Sequence, residues 1–418
     1  MLPADVRIGK PDHGTHWQKL KCHVLSAKIK LYLLLKTNNM GTTTQYSPQA
    51  DLNRRLLEAG ASKTVYALVT PETEAAKAAV LGNAASARAV DQARAAHLEQ
   101  FRDAWTGKQE QLHKEFFDTW HRWSVPFIEL NRETFKFTYP TAGASEPLRH
   151  LIYEYGNIAR VEGVVPRIHI FKGEYEGYKA YAEAARIEVV EHDRREWQKI
   201  AETLPENEWF FLSQPSAIDG NVWPDANQFF RMLSARSNKP QVIMDMTYVG
   251  AIAKAPSEKF AVSEPCVRNV VFSLSKPFGA YYDRIGGVWC REQDLGLFGN
   301  MWFKSLMALQ LGTALMQRND VFALPRKYAA VQAQQARHVS ERFGVTFEPA
   351  DVYMLATAHA TANIDPRLAD YLRRPSSDPA AHLRICLTPG MAEAIGTAGP
   401  VRGIVLHAAA SFDRGGPV

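Results

Sequence analysis

The chain has 418 residues, of which 46% are hydrophobic and 22% are charged. This composition is typical of a globular protein in water and argues against a disordered, collagen-like or membrane-embedded chain. The 49 basic and 44 acidic residues leave a formal charge of +5 without a long run of one sign, so nucleic acid is not an expected partner. The length favours two domains, because one hydrophobic core seldom organises so many residues.

The first 45 residues show no sustained hydrophobic period, and we expect residues 1–45 to form a poorly ordered arm. The apolar run within residues 23–36 is too short to span a bilayer and contains Lys28 and Lys30. A signal peptide would also need a small-residue cleavage site, and none follows cleanly. We therefore expect a cytoplasmic protein without a membrane partner.

The cysteines and histidines give no metal or disulfide pattern. The four cysteines lie far apart and form no Cys-x-x-Cys pair, which predicts buried thiols in a reducing compartment. The thirteen histidines contain no His-x-x-x-His spacing, so no metal site is predicted. The cysteines are Cys22, Cys266, Cys290 and Cys386.

Residues 46–136 are predicted to be a helical segment that contributes to a small domain. The stretch 71–123 is rich in Ala, Glu, Gln, Lys and Arg and has few helix breakers, which favours long amphipathic helices. Trp120 and Trp123 near its end are expected to pack in a core rather than to bind a ring-shaped ligand.

Residues 137–310 are predicted to form a large α/β domain, because short β-branched or aromatic runs there alternate with helix-like segments. Such alternation favours a largely parallel sheet with helices on both faces and ligands at the carboxyl ends of the strands. Residues 311–418 are predicted to supply a linking helix, interrupted at Pro325, and a small C-terminal domain. The expected strands are 167–171, 187–191, 209–213, 241–244, 269–272 and 286–290.

The most informative motif is SLSKPFGAYYDRIG, residues 273–286. A lysine directly after a buried strand loses hydration, which lowers its pKa toward the range where it forms a Schiff base; Lys276 is that lysine. The hydroxyls of Ser273 and Ser275 and the planar guanidinium of Arg284 can together bind a phosphate. Each residue alone has an ordinary structural interpretation, but the combination in this order is rare.

This motif resembles the Schiff-base signature Ser-x-Ser-Lys-x-Phe-Gly-x-Tyr-x-x-Arg-Val/Ile-Gly of fold-type I pyridoxal-phosphate enzymes of the aspartate aminotransferase class. The resemblance implies that pyridoxal 5'-phosphate is the cofactor and that Lys276 binds it covalently and moves the substrate Cα proton. It also implies that Ser273 and Arg284 bind the cofactor phosphate. Resemblance extends over roughly residues 137–390.

Asp245 and Tyr248, which precede this motif in the chain, match further parts of the family pattern. Asp245, in IMDMTY, ends a buried run 31 residues before Lys276. A carboxylate there would keep the pyridine nitrogen protonated, which makes the ring an electron sink. The resemblance implies that Tyr248 donates its hydroxyl to the ring phenolate oxygen. An isolated acid in this position would more often cap a turn.

A small-residue loop precedes the helix that begins near residue 146. Backbone N–H groups of Gly143 and Ala144 and the hydroxyl of Ser145 can approach an anion there, and the resemblance implies that they bind the phosphate. Tyr175 stands where relatives keep an aromatic ring stacked on the pyridine, although a core tyrosine is the alternative. Arg384, in HLRICLTPG, resembles the arginine that grips the substrate α-carboxylate.

One departure from the family pattern concerns the asparagine that hydrogen-bonds the phenolate oxygen. Here Ala217 occupies its place, and Ser216 and Asn221 are the candidate substitutes. The expected activity is an aminotransferase that acts on an α-amino acid and a 2-oxo acid, in a homodimer. The alternatives are a lyase, replacement enzyme or cyclase working at Cβ or Cγ, and a non-enzymatic regulator, against which the intact lysine, aspartate and arginine argue.

Overall fold

A computed structural model describes residues 67–81, 108–236, 240–301, 305–358 and 383–397. All of them lie within one compact unit, Pro48–Asp413. The predicted arm 1–45 and Cys22 lie outside the described residues.

Nine α-helices and ten strands occur in these ranges. The helices are α1 Pro71–Leu81, α2 Lys108–Ser124, α3 Ser145–Val161, α4 Glu176–Ala184, α5 Trp197–Thr203, α6 Ala226–Ser234, α7 Leu306–Arg318, α8 Ala323–Phe343 and α9 Thr388–Ala394. The strands are β1 Phe137–Thr141, β2 Arg167–Phe171, β3 Glu188–His192, β4 Trp209–Ser213, β5 Gln241–Asp245, β6 Val267–Ser273, β7 Gly286–Cys290, β8 Glu348–Pro349, β9 Leu355–Ala358 and β10 Leu383–Cys386.

Seven strands form one mixed sheet in the order β1-β7-β6-β5-β4-β2-β3. The five strands from β6 to β3 are mutually parallel, whereas β7 and β1 run antiparallel to their neighbours. All six predicted strands are confirmed, with ends that differ by no more than two residues. The predicted α/β class is therefore correct.

Strand β1 was not predicted, because Pro140 interrupts its sequence and proline removes a ladder hydrogen bond. The strand tolerates this residue because it lies at the edge of the sheet and pairs only with β7. Its antiparallel register places Pro140 opposite Gly287.

The central strands are buried on both faces, as expected for a sheet covered by helices on each side. Alternate residues of β4 divide between two apolar cores: Phe210 belongs to one and Phe211 to the other. Trp120 and Trp123 lie buried in the first core, as predicted. The cysteines Cys266, Cys290 and Cys386 are buried free thiols, also as predicted.

A second sheet joins three antiparallel strands in the order β10-β9-β8. Helix α8 packs against it through Gln332, whose side-chain amide lies 2.8 Å from the Ala350 carbonyl and 2.9 Å from the Leu355 carbonyl. The predicted interruption at Pro325 is misplaced. The chain breaks between α7 and α8, and Pro325 lies in the first turn of α8, where its missing N–H needs no intrahelical partner. Among the described helices, none has the length and apolar character needed to cross a membrane.

Candidate cofactor-binding site

A cavity of about 160 Å³ lies beside the carboxyl ends of β4, β5 and β6. Nine of the ten predicted site residues line it; Gly143 is the exception. The cavity thus collects side chains that are up to 240 residues apart in the sequence. Its lining consists of Ala144, Ser145, Leu148, Tyr175, Glu176, Ser213, Ala217, Asp245, Thr247, Tyr248, Ser273, Ser275, Lys276, Tyr281, Arg284 and Arg384.

One end of the cavity is lined by groups that can bind an anion, around the start of α3. Ala144 precedes the helix and Ser145 is its first residue. The Arg284 guanidinium donates through Nη2 to the Ser145 hydroxyl at 2.8 Å and to the Ala142 carbonyl at 2.6 Å. Gly143 lies behind it, with φ of +73°, and a Cβ there would come 2.7 Å from Nη2 of Arg284. A larger residue would be strained at this φ and would displace the Arg284 guanidinium.

Two serine hydroxyls lie beside the guanidinium end. Ser273 is the last residue of β6, and its hydroxyl donates to the Ser275 oxygen at 2.9 Å. The backbone N–H of Ser275 donates back to the Ser273 oxygen at 3.1 Å. This reciprocal pair orients both hydroxyls at the cavity wall.

Lys276 follows these serines and places its ammonium group at the cavity. Burial lowers the pKa of Lys276 to about 8, and the positive charge of Arg384 acts in the same direction. A lysine with this pKa is partly neutral near pH 8, which is the nucleophilic form.

Asp245 ends β5 with its carboxylate in the interior. Oδ2 accepts a hydrogen bond from the Tyr178 hydroxyl at 3.0 Å, and Oδ1 accepts one from the Thr247 backbone N–H at 3.0 Å. The Thr247 hydroxyl also donates to Oδ1. Burial nevertheless raises the pKa of Asp245, so an adjacent cation would be strongly favoured.

The two predicted tyrosines both line the cavity. Tyr175 precedes α4, and its ring packs edge-on against Tyr178 with the centroids 5.5 Å apart. Burial raises the pKa of Tyr175 well above its ordinary value, so the hydroxyl stays protonated. Tyr248 is buried three residues after Asp245.

Arg384 reaches the same cavity from the second sheet. It lies on β10 opposite Thr357 of β9 and is 3% exposed. A buried guanidinium facing a small cavity is suited to bind a carboxylate in a bidentate manner.

Ala217, at the position of the family asparagine, is held by a hydrogen-bonded chain through Ser213 and Glu174, which the sequence analysis did not identify. The Ala217 backbone N–H donates to the Ser213 oxygen at 2.6 Å, and the Ser213 hydroxyl donates to Glu174 at 2.6 Å. Ser213 lines the cavity. The two predicted substitutes, Ser216 and Asn221, are not among the described lining residues.

Glu174 is therefore a buried acid one residue away from the cavity wall. Its second oxygen accepts the Ser213 backbone N–H at 3.2 Å. Burial raises the pKa of Glu174 to about 7, against the opposing effect of the Ser213 hydrogen bonds. The nearby charge of Asp245 raises this pKa as well.

Comparisons with known proteins identify the architecture. The sequence matches no family model and no curated protein. Solved structures do match. The protein MppP, soaked with its product 2-ketoarginine, has a TM-score of 0.53 at 14% identity, with 82% of this chain and 98% of that chain covered. This chain has the fold of type I pyridoxal-phosphate-dependent enzymes.

Two further structures with this fold differ in reaction. A protein of Erwinia carotovora atroseptica, provisionally named a histidinol-phosphate aminotransferase, has a TM-score of 0.52 at 14% identity, covering 81% of this chain and 94% of that chain. The pyridoxal-phosphate-bound C-S lyase of Staphylococcus hominis has a TM-score of 0.51 at 14% identity, covering 71% and 79%. The fold-type I architecture therefore accommodates both reaction classes.

The cavity has the donor set that pyridoxal phosphate requires in a fold-type I protein. A helix start, two hydroxyls and a guanidinium suit its phosphate, a buried carboxylate suits its ring nitrogen, and a desolvated lysine suits its aldehyde. The residues that sequence reasoning missed are Ser213, Tyr178, Thr247 and Glu174. Only Thr247 carried a local signal, since a threonine two residues after an aspartate often closes an Asx turn.

Proposed function

We propose that this chain is a pyridoxal-phosphate-dependent enzyme acting on amino acids, and specifically an aminotransferase that moves an amino group between an α-amino acid and a 2-oxo acid. One observation carries the proposal: Lys276, Asp245 and Arg384 line a single cavity. A nucleophilic amine, a buried acid and a carboxylate-binding guanidinium are the three groups that amino-acid chemistry at Cα needs together.

Pyridoxal phosphate, when bound, supplies a sink for the electrons released at the amino acid Cα. Lys276 attaches the cofactor and carries the Cα proton on Nζ, for which a pKa near 8 is well matched to neutral pH. Asp245, held by Tyr178 and Thr247, keeps a proton and positive charge on the ring nitrogen. Tyr248 donates to the ring oxygen.

The remaining residues bind and orient. Ser145, Ser273 and Arg284 would bind the phosphate together with the N–H groups at Gly143 and Ala144, and Tyr175 would pack against the ring. Arg384 holds the substrate α-carboxylate, which fixes the amino acid on the side of Lys276. A homodimer in the cytoplasm, taken from the resemblance and the composition, completes the proposal.

A second candidate function is elimination or replacement at Cβ or Cγ, or a cyclisation, on the same cofactor. It is favoured by Ala217, which puts an apolar side chain where aminotransferases of the family carry an asparagine. With that amide absent, Ser213 is the hydroxyl nearest in sequence that lines the cavity.

Single amino acids mixed with the purified enzyme separate the two candidates. An aminotransferase yields the matching 2-oxo acid and converts the bound cofactor to pyridoxamine phosphate, in stoichiometric amounts, when no acceptor is present. A lyase yields ammonia or the released side chain over many turnovers and leaves the cofactor spectrum unchanged. If no amino acid in a full panel gives either kind of product, both proposals are refuted.

A further inference from the structure

Three potential metal ligands converge where helix α3 meets the segment after β7. His150 and Glu154 lie one turn apart on α3, and Asp294 follows β7. Nε2 of His150 lies 2.8 Å from Oδ1 of Asp294 and 3.9 Å from Oε2 of Glu154. One ligand atom from each residue lies within 4.8 Å of the other two. None of the three lines the proposed cofactor cavity.

The hydrogen bonds of this cluster leave two carboxylate oxygens unsatisfied. A single N–H at Nε2 of His150 can serve only one acceptor, and Oδ1 of Asp294 takes it. Oε2 of Glu154 and Oδ2 of Asp294 are both buried and have no hydrogen-bond partner in the described part of the chain. Buried acceptors in native proteins nearly always have a partner, so these two atoms point to a ligand.

Asp294 is held rigidly in this position. The residue is 4% exposed. Its Oδ1 also accepts the N–H groups of Gly296 and Leu297 at 3.0 and 3.1 Å, and its own N–H donates to the Tyr139 hydroxyl at 2.8 Å. Oδ2 is the oxygen that remains for another group.

The turn after Asp294 also fixes the imidazole. A Cβ on Gly296 would lie 2.0 Å from Cε1 of His150, so the glycine backbone packs directly against the ring. A metal ligand needs this kind of support, because orientation of the imidazole is a large part of affinity.

We propose that His150, Glu154 and Asp294 bind one divalent transition-metal ion, with Zn²⁺ as the best match. One imidazole nitrogen and two carboxylate oxygens suit zinc, which bonds to nitrogen and oxygen at about 2.0–2.2 Å and completes its shell with water. The His150 proton leaves on binding, and Nε2 ligates through the freed lone pair. The ion links α3 to the segment after β7.

The charges around the cluster leave room for a cation. Burial raises the pKa of Glu154, and the charge of Asp294 raises it as well. Arg268 and His150 oppose this shift, and Arg268 already pairs with Glu292 at 2.8 Å. Burial lowers the pKa of His150, but its hydrogen bond to Asp294 raises it above the ordinary value overall, and Glu146 adds a smaller effect.

The variant Glu154→Gln tests the site with little risk to folding, because Oε2 of Glu154 accepts no hydrogen bond. Glu162→Gln is the matched control, since Glu162 is an exposed acid that caps the same helix. Both variants and the parent protein are purified with cofactor, stripped with a chelator and titrated with Zn²⁺ at about pH 8 in phosphate-free buffer. A parallel titration with Co²⁺ reports ligand geometry through its visible absorption.

We expect the parent and Glu162→Gln to bind one Zn²⁺ more per chain than Glu154→Gln, or to bind it at least tenfold more tightly. The unfolding temperature should rise with Zn²⁺ in the first two proteins and stay constant in Glu154→Gln. His150→Asn should behave like Glu154→Gln. Equal Zn²⁺ binding by all four proteins, or no Zn²⁺ binding by the parent, would overturn the proposal whatever the enzyme's activity.

Discussion

The two ends of the cavity are built on opposite principles. At the end beside Arg284 and the start of α3, called the anion end, the polar groups are already hydrogen-bonded to one another: Arg284 to Ser145, and Ser273 to Ser275. At the other end are two ionisable groups, Lys276 and Asp245. Burial lowers the pKa of Lys276 and raises that of Asp245, which favours the neutral form of each. The groups at the first end satisfy one another's hydrogen bonds. At the second end, the charged forms of Lys276 and Asp245 would be stabilised by an opposite charge beside them.

This difference indicates which substitutions should matter for chemistry and which for binding. Redundant donors share the binding of an anion, so the loss of one leaves the others in place. A desolvated amine or carboxylate has no substitute nearby, so its loss removes a step. The predictions below test that contrast from the largest expected effect to the smallest.

Replacing Lys276 with alanine should lower turnover by at least about a thousandfold, because covalent attachment and Cα proton transfer both use its amine. Borohydride reduction followed by mass spectrometry should detect attached cofactor in the parent protein and none in Lys276→Ala. The exposed Lys254 supplies the control, and Lys254→Ala should keep parent activity. A Lys276→Ala protein with attached cofactor and near-normal turnover would show that another lysine is the Schiff-base residue.

Asp245→Asn should keep the cofactor but slow Cα deprotonation by about a hundredfold, since a neutral amide cannot hold a positive charge on the ring nitrogen. Exchange of the substrate Cα hydrogen with D₂O, followed by NMR, measures this step directly. Thr247→Val removes a hydrogen bond to the same carboxylate but keeps its charge, and a much smaller effect is expected. Parent exchange rates in Asp245→Asn would exclude the proposed role.

Arg384→Leu should raise the substrate KM by about 10- to 150-fold, which corresponds to one charge-assisted hydrogen bond of roughly 1.5–3 kcal/mol. Retention of the cofactor should not change, because Arg384 lies on the second sheet rather than at the anion end. Arg384→Lys keeps the charge but loses the bidentate geometry, so its KM should lie between those of the parent protein and Arg384→Leu. Unchanged amino-acid affinity in Arg384→Leu would refute a carboxylate-binding role.

The last prediction concerns Glu174 and stability rather than turnover. Its pKa is raised from 4.5 to about 7 in the folded protein, so its contribution to stability is fully present below pH 4.5 and is lost as the pH rises through 7. The loss amounts to at most about 3–4 kcal/mol. Urea unfolding of the cofactor-free protein between pH 5 and pH 8, at about equal ionic strength, measures it.

In Glu174→Gln, this part of the pH dependence should disappear, so the free-energy difference between variant and parent should change across the same range. Ser213→Ala serves as the companion variant, because it removes the hydroxyl that donates to Glu174 and should raise the carboxyl pKa further. A parallel pH profile in the parent and Glu174→Gln would mean that Glu174 titrates normally.

The sequence predicted the elements whose signal is local. Strands such as β4 and β7 are continuous apolar runs, and their bounds are those expected. Strand β1 escaped because a proline at an edge position has the same appearance in sequence as a loop. In the candidate site, Lys276, Ser273 and Arg284 share one motif and were found together.

Ser213 and Tyr178 could not be found in this way. The relation of Ser213 to Asp245 arises because β4 and β5 are neighbours in the sheet, with these two residues in register. Tyr178 reaches the same carboxylate from a helix 67 residues away in the chain. A hydroxyl has no charge pattern or spacing of its own, so only the strand order and the helix packing give it a role.

The origin of Arg384 in the second sheet has a consequence for how such a protein can change its affinity for substrate. The residues proposed to hold the cofactor belong to the seven-stranded sheet and its loops, whereas Arg384 lies on β10, which pairs with β9. Gln332 fixes α8 to the loop before β9 and to Leu355 at the start of that strand. Mutations in this three-stranded layer would therefore alter how tightly a substrate carboxylate is held while Lys276 and Asp245 stay in place, so affinity can change independently of the chemistry.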